Sequence, residues 1–253
     1  MPLSFSQYWS LMKAHPLPPP AMTQAQVEAV VRTQWASLRQ MCGGLGDARI
    51  DVVLDDGLEG SGILAWASRT HVLEDDVWVP SVLSRTEVPR DMLIGVNPGV
   101  PNGWALGCDQ GLRFDLNSVI MHELLHGVGV SSSVTPDRVG YDIAGKCFPN
   151  MLDTKMEDAR GTKLVHGCTY HPSEEVYVGG EKLFNPADFI AGSSLAHTDA
   201  RGVMYYSIPP ETCLEVQDHD LRILNSLGLD CSPATRVMPM VLTAIFALVI
   251  ALH

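Results

Sequence analysis

The apolar positions of the chain begin at helical spacing and then shorten into runs of strand length. Between residues 23 and 41, Val27, Val30, Val31, Trp35 and Leu38 recur on one face behind Thr23, which can cap the first turn. This predicts an amphipathic helix that covers a sheet and ends at Gly43-Gly44-Leu45-Gly46. Short apolar runs bounded by Asp and Gly predict strands over 50–54, 63–67 and 92–97. Residues 75–83 are ambiguous, because Pro80 lacks the N–H a ladder needs and so excludes a central strand. Over 115–130, Leu116, Val119, Ile120, Leu124 and Val128 share a broad face, with Asp115 as the cap and Gly127 and Gly129 as the stop. Beyond Gly129 the pattern dissolves among Gly, Pro, Ser and Cys up to residue 194, which predicts a loop-rich second lobe tied by disulfides. Residues 218–227 predict a last amphipathic helix. The fold class expected is α+β.

A chain of 253 residues supports one core, or one domain of two lobes around a cleft. The expected division is an N-terminal segment 1–22 with little fixed order, a domain 23–231 with an upper lobe 23–130 and a lower lobe 131–231, and an apolar tail 232–253. The formal net charge of −12 offers no basic face to phosphate, which excludes nucleic acid as a partner. Six cysteines, widely spread and without a CxxC pair, predict three disulfides in an oxidising compartment, with buried thiols as the alternative. Spacing leaves the pairing open.

The two ends read differently. Residues 1–22 lack a basic start and an apolar stretch of signal-peptide length, and they run into Pro16-Leu17-Pro18-Pro19-Pro20. Export is then unconventional, or the true start lies upstream. Residues 237–252 are almost wholly apolar and follow Arg236. They fall short of the ~20 residues that cross a bilayer comfortably. Their position after Ser232 and Ala234 suggests a cleaved lipid-anchor signal, with a retained membrane tail or a buried terminal helix as alternatives. The expected location is extracellular or at the cell surface.

The chemistry is concentrated in His122-Glu123-Leu124-Leu125-His126. Residues four apart on a helix lie one above the other, so His122 and His126 can offer ring nitrogens to one tetrahedral Zn2+, with Glu123 beside it as general base toward a water the ion acidifies. A third ligand is needed. At the spacing HExxHxxGxxH, Gly129 is in place but Ser132 stands where a histidine would, and serine is no substitute. Two candidates remain. His197 lies in Gly192-Ser193-Ser194-Leu195-Ala196-His197-Thr198-Asp199, ahead of Gly202-Val203-Met204-Tyr205-Tyr206. Asp137 lies in Thr135-Pro136-Asp137-Arg138-Val139-Gly140-Tyr141. His166 and His171 could hold a second ion, although surface or core histidines are the commoner state for both, as for His219.

The order of motif, long insertion, His197 and Met204 resembles the leishmanolysin branch of the metzincins, a likeness spanning roughly residues 75–230 of which only the HExxH motif is individually specific. The resemblance implies a two-lobed zinc peptidase, with a mixed sheet and active-site helix above the cleft and His197 as third ligand over a methionine turn at Met204. It implies one Zn2+ and a protein or peptide substrate pairing with an edge strand, taken as 92–97. Tyr205 or Tyr206 would polarise the substrate carbonyl or orient the water, with a core position as the alternative for either, and Asp199 would hold the free ring nitrogen of His197. The Asp137 segment is similar to the aspartate-ligand motif of deuterolysin-like zinc peptidases, but it has Val134 and Gly140-Tyr141 where that motif has Gly and Tyr-Gly. The expected function is a monomeric metalloendopeptidase, held to a membrane by the tail. The alternatives are a catalytically silent adhesion module on the same fold, a deuterolysin-like peptidase, or a metal-free structural protein. Residues 1–22 contain no cysteine that could block the metal.

Overall fold

The structure, a computed structural model, describes residues 22–232 apart from 85, 109–111, 136–138 and 144–145. The N-terminal segment 1–21, the apolar tail and the alternative ligand Asp137 therefore lie outside the described residues.

Helix α1 (Gln24–Met41) starts as its sequence predicts. Thr23 and Gln26 form a reciprocal capping box, in which Gln26 N–H donates to Thr23 Oγ1 (3.3 Å) and Thr23 N–H donates to Gln26 Oε1 (2.9 Å). Its five apolar positions are all buried, and it packs on the helix Leu116–Gly127 and on the strand Ile50–Leu54. The helix runs into β1 (Cys42–Gly43), which pairs antiparallel with the strand Asp230–Cys231, so the two ends of the described domain meet.

The main sheet has three strands in the order β2 (Ile50–Leu54), β6 (Met92–Val96), β3 (Ala65–Arg69). The β2–β6 pair is parallel and the β6–β3 pair antiparallel. Strand alternation sends Met92, Ile94 and Val96, all fully buried, to the helix-covered side. The opposite face carries Gly95, over which Trp66 lies flat enough that a Cβ on Gly95 would come within 2.2 Å of its ring. Trp66 Nε1–H donates to Asp55 Oδ2 (2.8 Å), which fixes the indole there.

Three expectations change. The strand predicted over 63–67 forms at Ala65–Arg69, two residues later. The strand at Met92–Val96, expected at an edge and available to a peptide, is the central one; the outer strands are β2 and β3. The ambiguous residues 75–83 belong to a hairpin, β4 (His71–Glu74) with β5 (Val77–Pro80), closed by Asp75 and Asp76 at φ 47° and 63°. Two left-handed residues define the hairpin turn that matches strand twist, and Pro80 sits harmlessly as the last residue of its strand.

Helix α2 (Leu116–Gly127) is capped by Asp115, whose Oδ2 accepts from Ser118 N–H (2.9 Å), and it packs on α1 and β3. Helix α3 (Asp218–Ser226) follows the long irregular stretch, in which short two-stranded pairings such as Tyr177–Val178 with Glu181–Lys182 are the regular structure. The fold is α+β. All six cysteines pair, as Cys42–Cys231, Cys108–Cys213 and Cys147–Cys168. Of these only Cys147–Cys168 lies within the irregular stretch, while the other two tie the C-terminal part to the helical half. Three disulfides are the pattern of a protein from an oxidising, extracellular setting. Among the described residues no helix is long and apolar enough to cross a membrane.

The contact between Gly95 and Trp66 is the tightest in the sheet that a single methyl would disturb. Gly95→Ala is expected to lower stability by about 1–3 kcal/mol through overpacking, read as a shifted urea midpoint at unchanged slope; an unshifted midpoint would mean that the indole can move aside freely.

Candidate metal centre

The end of α2 determines where the second histidine of the motif points. Gly129 adopts φ 119°, Val130 N–H donates to Leu125 O (3.0 Å) and Gly129 N–H donates to His126 O (3.1 Å), which is the left-handed terminator that turns a chain sharply off a helix. The reversed chain brings Val130 O back over the last turn, where it accepts from His126 Nδ1 (2.6 Å).

His122 is held from another quarter. Its Nδ1 donates to Val203 O (2.7 Å) in a tight turn where Tyr205 N–H donates to Gly202 O (3.1 Å). That turn is clamped by Asp220 on α3, a fully buried carboxylate that accepts from Val203 N–H (3.2 Å), Met204 N–H (3.2 Å) and Gln217 N–H (2.8 Å). Gly202 permits the approach, because a Cβ there would lie 2.4 Å from His219 Nε2 and 2.5 Å from Asp220 Oδ2. Met204 is fully buried within the same turn.

His197 joins them from the far end of the insertion. Its Nδ1 meets Ser193 O (2.9 Å), and its Nε2 lies 3.0 Å from His122 Nε2, which is itself 3.1 Å from His126 Nε2. A carbonyl oxygen only accepts, so each of the three Nδ1 atoms carries its ring proton and each Nε2 presents a lone pair. Three lone pairs directed at one another repel unless a cation lies between them. Imidazole nitrogens around one tetrahedral zinc ion stand about 3.3 Å apart, close to the spacing found, so the donor set fits a metal ion. His122, His126 and His197 are the group of metal-binding side chains brought together among the described residues.

Burial sets the protonation of the group. It pushes His122 down to about 3, aided by the charge of His197, drives His126 well below the ordinary imidazole range and lowers His197 as well. All three therefore stay neutral and able to ligate at neutral pH. Glu123, also buried, is pushed up to about 8 by desolvation, which a cation beside it would oppose.

The centre opens into a cleft of about 860 Å³. One wall is β3 and the residues before it, from Gly62 to Arg69, with α2 as floor. The other wall comes from Ser131, Ser132 and Val134 and from the stretch between Phe184 and Ile208. Tyr205 and Tyr206 both line it, and Tyr206 stacks on Phe184 with ring centroids 4.1 Å apart.

The predicted residues sort clearly. His122, Glu123, His126 and His197 come together. Asp199 does not hold His197: the Ser193 carbonyl occupies that nitrogen, while Asp199 lies 3.9 Å from Lys182 at the surface. Ser132 is committed elsewhere, donating to Oδ1 of the buried Asp153 (2.7 Å). His166 and His171 pair at a ring-centroid distance of 5.6 Å, with His166 Nε2 against Lys163 O, and gather no further metal-binding side chain among the described residues. Sequence reasoning did not find Val130, Val203 and Ser193, since backbone carbonyls carry no residue signature. Asp220 was findable in principle, as an acidic residue at the third position of a predicted helix.

No family model, curated protein or solved structure matches this chain.

The protonation pattern has a measurable consequence for the metal-free protein. Between about pH 6.5 and 3 the unfolded chain binds protons that the three folded imidazoles refuse, so stability falls as pH drops through this window. The buried carboxyls Glu123, Asp153 and Asp220, pushed up by desolvation, work in the opposite sense, and His71, pushed down by burial, adds to the three imidazoles. The denaturant midpoint of the metal-free protein is expected to fall from about pH 6.5 to 5; a midpoint constant over that range would contradict the neutral buried triad.

Proposed function

We propose that this chain is a zinc-dependent endopeptidase of metzincin-like, two-lobed design, as its resemblance to the leishmanolysin branch implies. One observation carries the reading: three imidazole Nε2 atoms, each aimed by a backbone carbonyl on its other nitrogen, converge at the floor of an open cleft with a buried carboxylate next to them in sequence. His122, His126 and His197 would hold the ion. When bound there, zinc supplies Lewis acidity toward a substrate carbonyl and acidifies water.

The remaining steps belong to the chain. Glu123 accepts the proton of the attacking water and returns it to the leaving amine, a role suited to a buried carboxylate whose affinity for a proton is raised. Strand β3, an outer strand whose residues line the cleft, offers backbone groups to an extended peptide, replacing β6 in that role. Tyr205 and Tyr206 supply hydroxyls that can hold the scissile carbonyl. Three disulfides and the apolar tail support an extracellular or cell-surface setting, with the tail as a lipid-anchor signal or membrane segment.

The gathering of His197 with His122 and His126 supports this reading rather than a deuterolysin-like site built on Asp137. Elemental analysis of the purified full chain is expected to give one zinc per molecule, lost in His197→Ala and kept in Asp137→Ala. Glu123→Gln is expected to keep zinc and lose about 10²–10⁴-fold or more in peptide hydrolysis. Absence of zinc in the wild type would overturn the reading, and loss of zinc with Asp137 alone would move the protein to the deuterolysin-like class. A zinc-loaded wild type that cleaves nothing would make it a binding module.

A further inference from the structure

Ser132 stands where the spacing HExxHxxGxxH would place a third histidine, and the structure commits that position to a buried carboxylate instead. Asp153 is fully buried at the start of a short helical turn (Asp153–Lys155), and donors from two segments converge on it. Ser132 Oγ–H donates to Oδ1 (2.7 Å), Ser133 N–H reaches both oxygens (3.3 and 3.1 Å), and Ser133 Oγ–H and Asn150 N–H (3.0 Å) donate to Oδ2. Ser132 Oγ also accepts from Val134 N–H (3.0 Å), which closes the loop on itself. Donors facing both oxygens fit an ionised, acceptor-only group, because a proton on either oxygen would point at another donor. Burial raises the affinity of this carboxyl for a proton, and the bonds from Ser133, Ser132 and Asn150 oppose it.

The loop held in this way is the one that aims His126. The direction of Val130 O is that of the rigid peptide unit shared by Val130 and Ser131. On one side, Val130 N–H and Ser131 N–H tie that unit to the end of α2 through Leu125 O (3.0 Å) and Gly129 O (2.8 Å). On the other side stand Ser132 and Ser133, both bonded to Asp153. Asp153 has a firm support of its own, since Trp78 N–H donates to Pro149 O (2.9 Å) and Met151 N–H donates to Trp78 O (3.0 Å), which lays the preceding segment along β5. A continuous line of bonded groups therefore runs from the β4–β5 hairpin through 149–153 and 131–134 to Val130 O, the acceptor of His126 Nδ1–H (2.6 Å). Burying a charge is costly unless hydrogen bonds hold it, and here the bonds that hold it are those that fix the loop.

Resting on the zinc-site part of the reading above, we infer that Asp153 is a positioning residue of the metal centre, which fixes Ser132 and Ser133 so that Val130 O orients the His126 ring for the ion. It is not among the residues that line the cleft and acts only through the loop. His122 and His197 take their carbonyl partners from other segments, at Val203 and Ser193, so the effect is confined to one imidazole of the three. A group that accepts from the far nitrogen of a metal-binding imidazole sets its orientation and affinity; Asp153 stands one step behind that group.

The test uses the full chain as wild type, Asp153→Asn and Ser133→Ala, with Gly95→Ala as a control altered on the helix-free face of the sheet. Two quantities are read: the zinc dissociation constant by competition with a chelating dye, and the three imidazole Nδ1–H proton resonances of the zinc-loaded protein. Asp153→Asn, which turns an amide N–H toward donors, is expected to weaken zinc binding about tenfold or more and to speed exchange of the His126 Nδ1–H with water by about as much, leaving the His122 and His197 protons as in the wild type. Ser133→Ala is expected to give the same pattern at about threefold, and it decides the matter alone if Asp153→Asn does not fold. Gly95→Ala is expected to keep the wild-type zinc affinity and all three resonances. Unchanged affinity and an unchanged His126 proton in folded Asp153→Asn, or in Ser133→Ala where that variant decides, would overturn the inference. So would a loss spread equally over the three imidazoles or shared by Gly95→Ala, which would make Asp153 a general stabilising residue. Each of these outcomes leaves the zinc reading standing, whereas a wild type that binds no zinc would overturn both.

Discussion

Three imidazole lone pairs gathered at one point, with His122 Nε2 lying 3.0 Å from His197 Nε2 and 3.1 Å from His126 Nε2, are the constraint on which the rest of this structure depends. Such an arrangement is unfavourable without a cation, and each ring is locked into it from behind. The three carbonyls that do the locking come from unrelated places: the turn after α2, the turn before α3, and the stretch just ahead of His197. Each has its own support. Gly129 makes the first possible, Asp220 and Gly202 the second, and a short local bond from Ser194 N–H to Ile190 O (2.9 Å) braces the third. Much of what looks irregular between α2 and α3 is thus the means by which backbone acceptors are delivered to one point.

The sequence disclosed the helices and two of the three main strands because their apolar spacing is unambiguous: α1 begins behind Thr23 and α2 behind Asp115, as read. It failed where tertiary pairing overrides local pattern. Met92–Val96 has the same composition at the centre of a sheet as it would at an edge, and only the pairing of β2 and β3 on either side distinguishes the two. The β4–β5 hairpin was hidden because its turn is Asp75-Asp76, without the glycine that normally marks left-handed residues. At the site, the side chains His122, Glu123, His126 and His197 were legible, whereas Asp199 was misassigned, because proximity in sequence to a ligand does not say which group faces its second nitrogen. The approach of Arg69 from a strand 57 residues before His126 leaves no local trace in the sequence at all.

The disulfide between Cys42 and Cys231, separated by 189 residues, has a consequence for a molecule whose C-terminal part is largely loop. It makes the backbone from Cys42, just after α1, to Cys231, just after α3, a closed ring. A break at any one bond inside that ring opens the loop without releasing a fragment, and the elements that support His122, His126 and His197 remain joined by a covalent bond at the far side of the domain. A single nick inside the ring would therefore leave the chain in one covalent piece, and such damage would be seen only after the bridge is reduced.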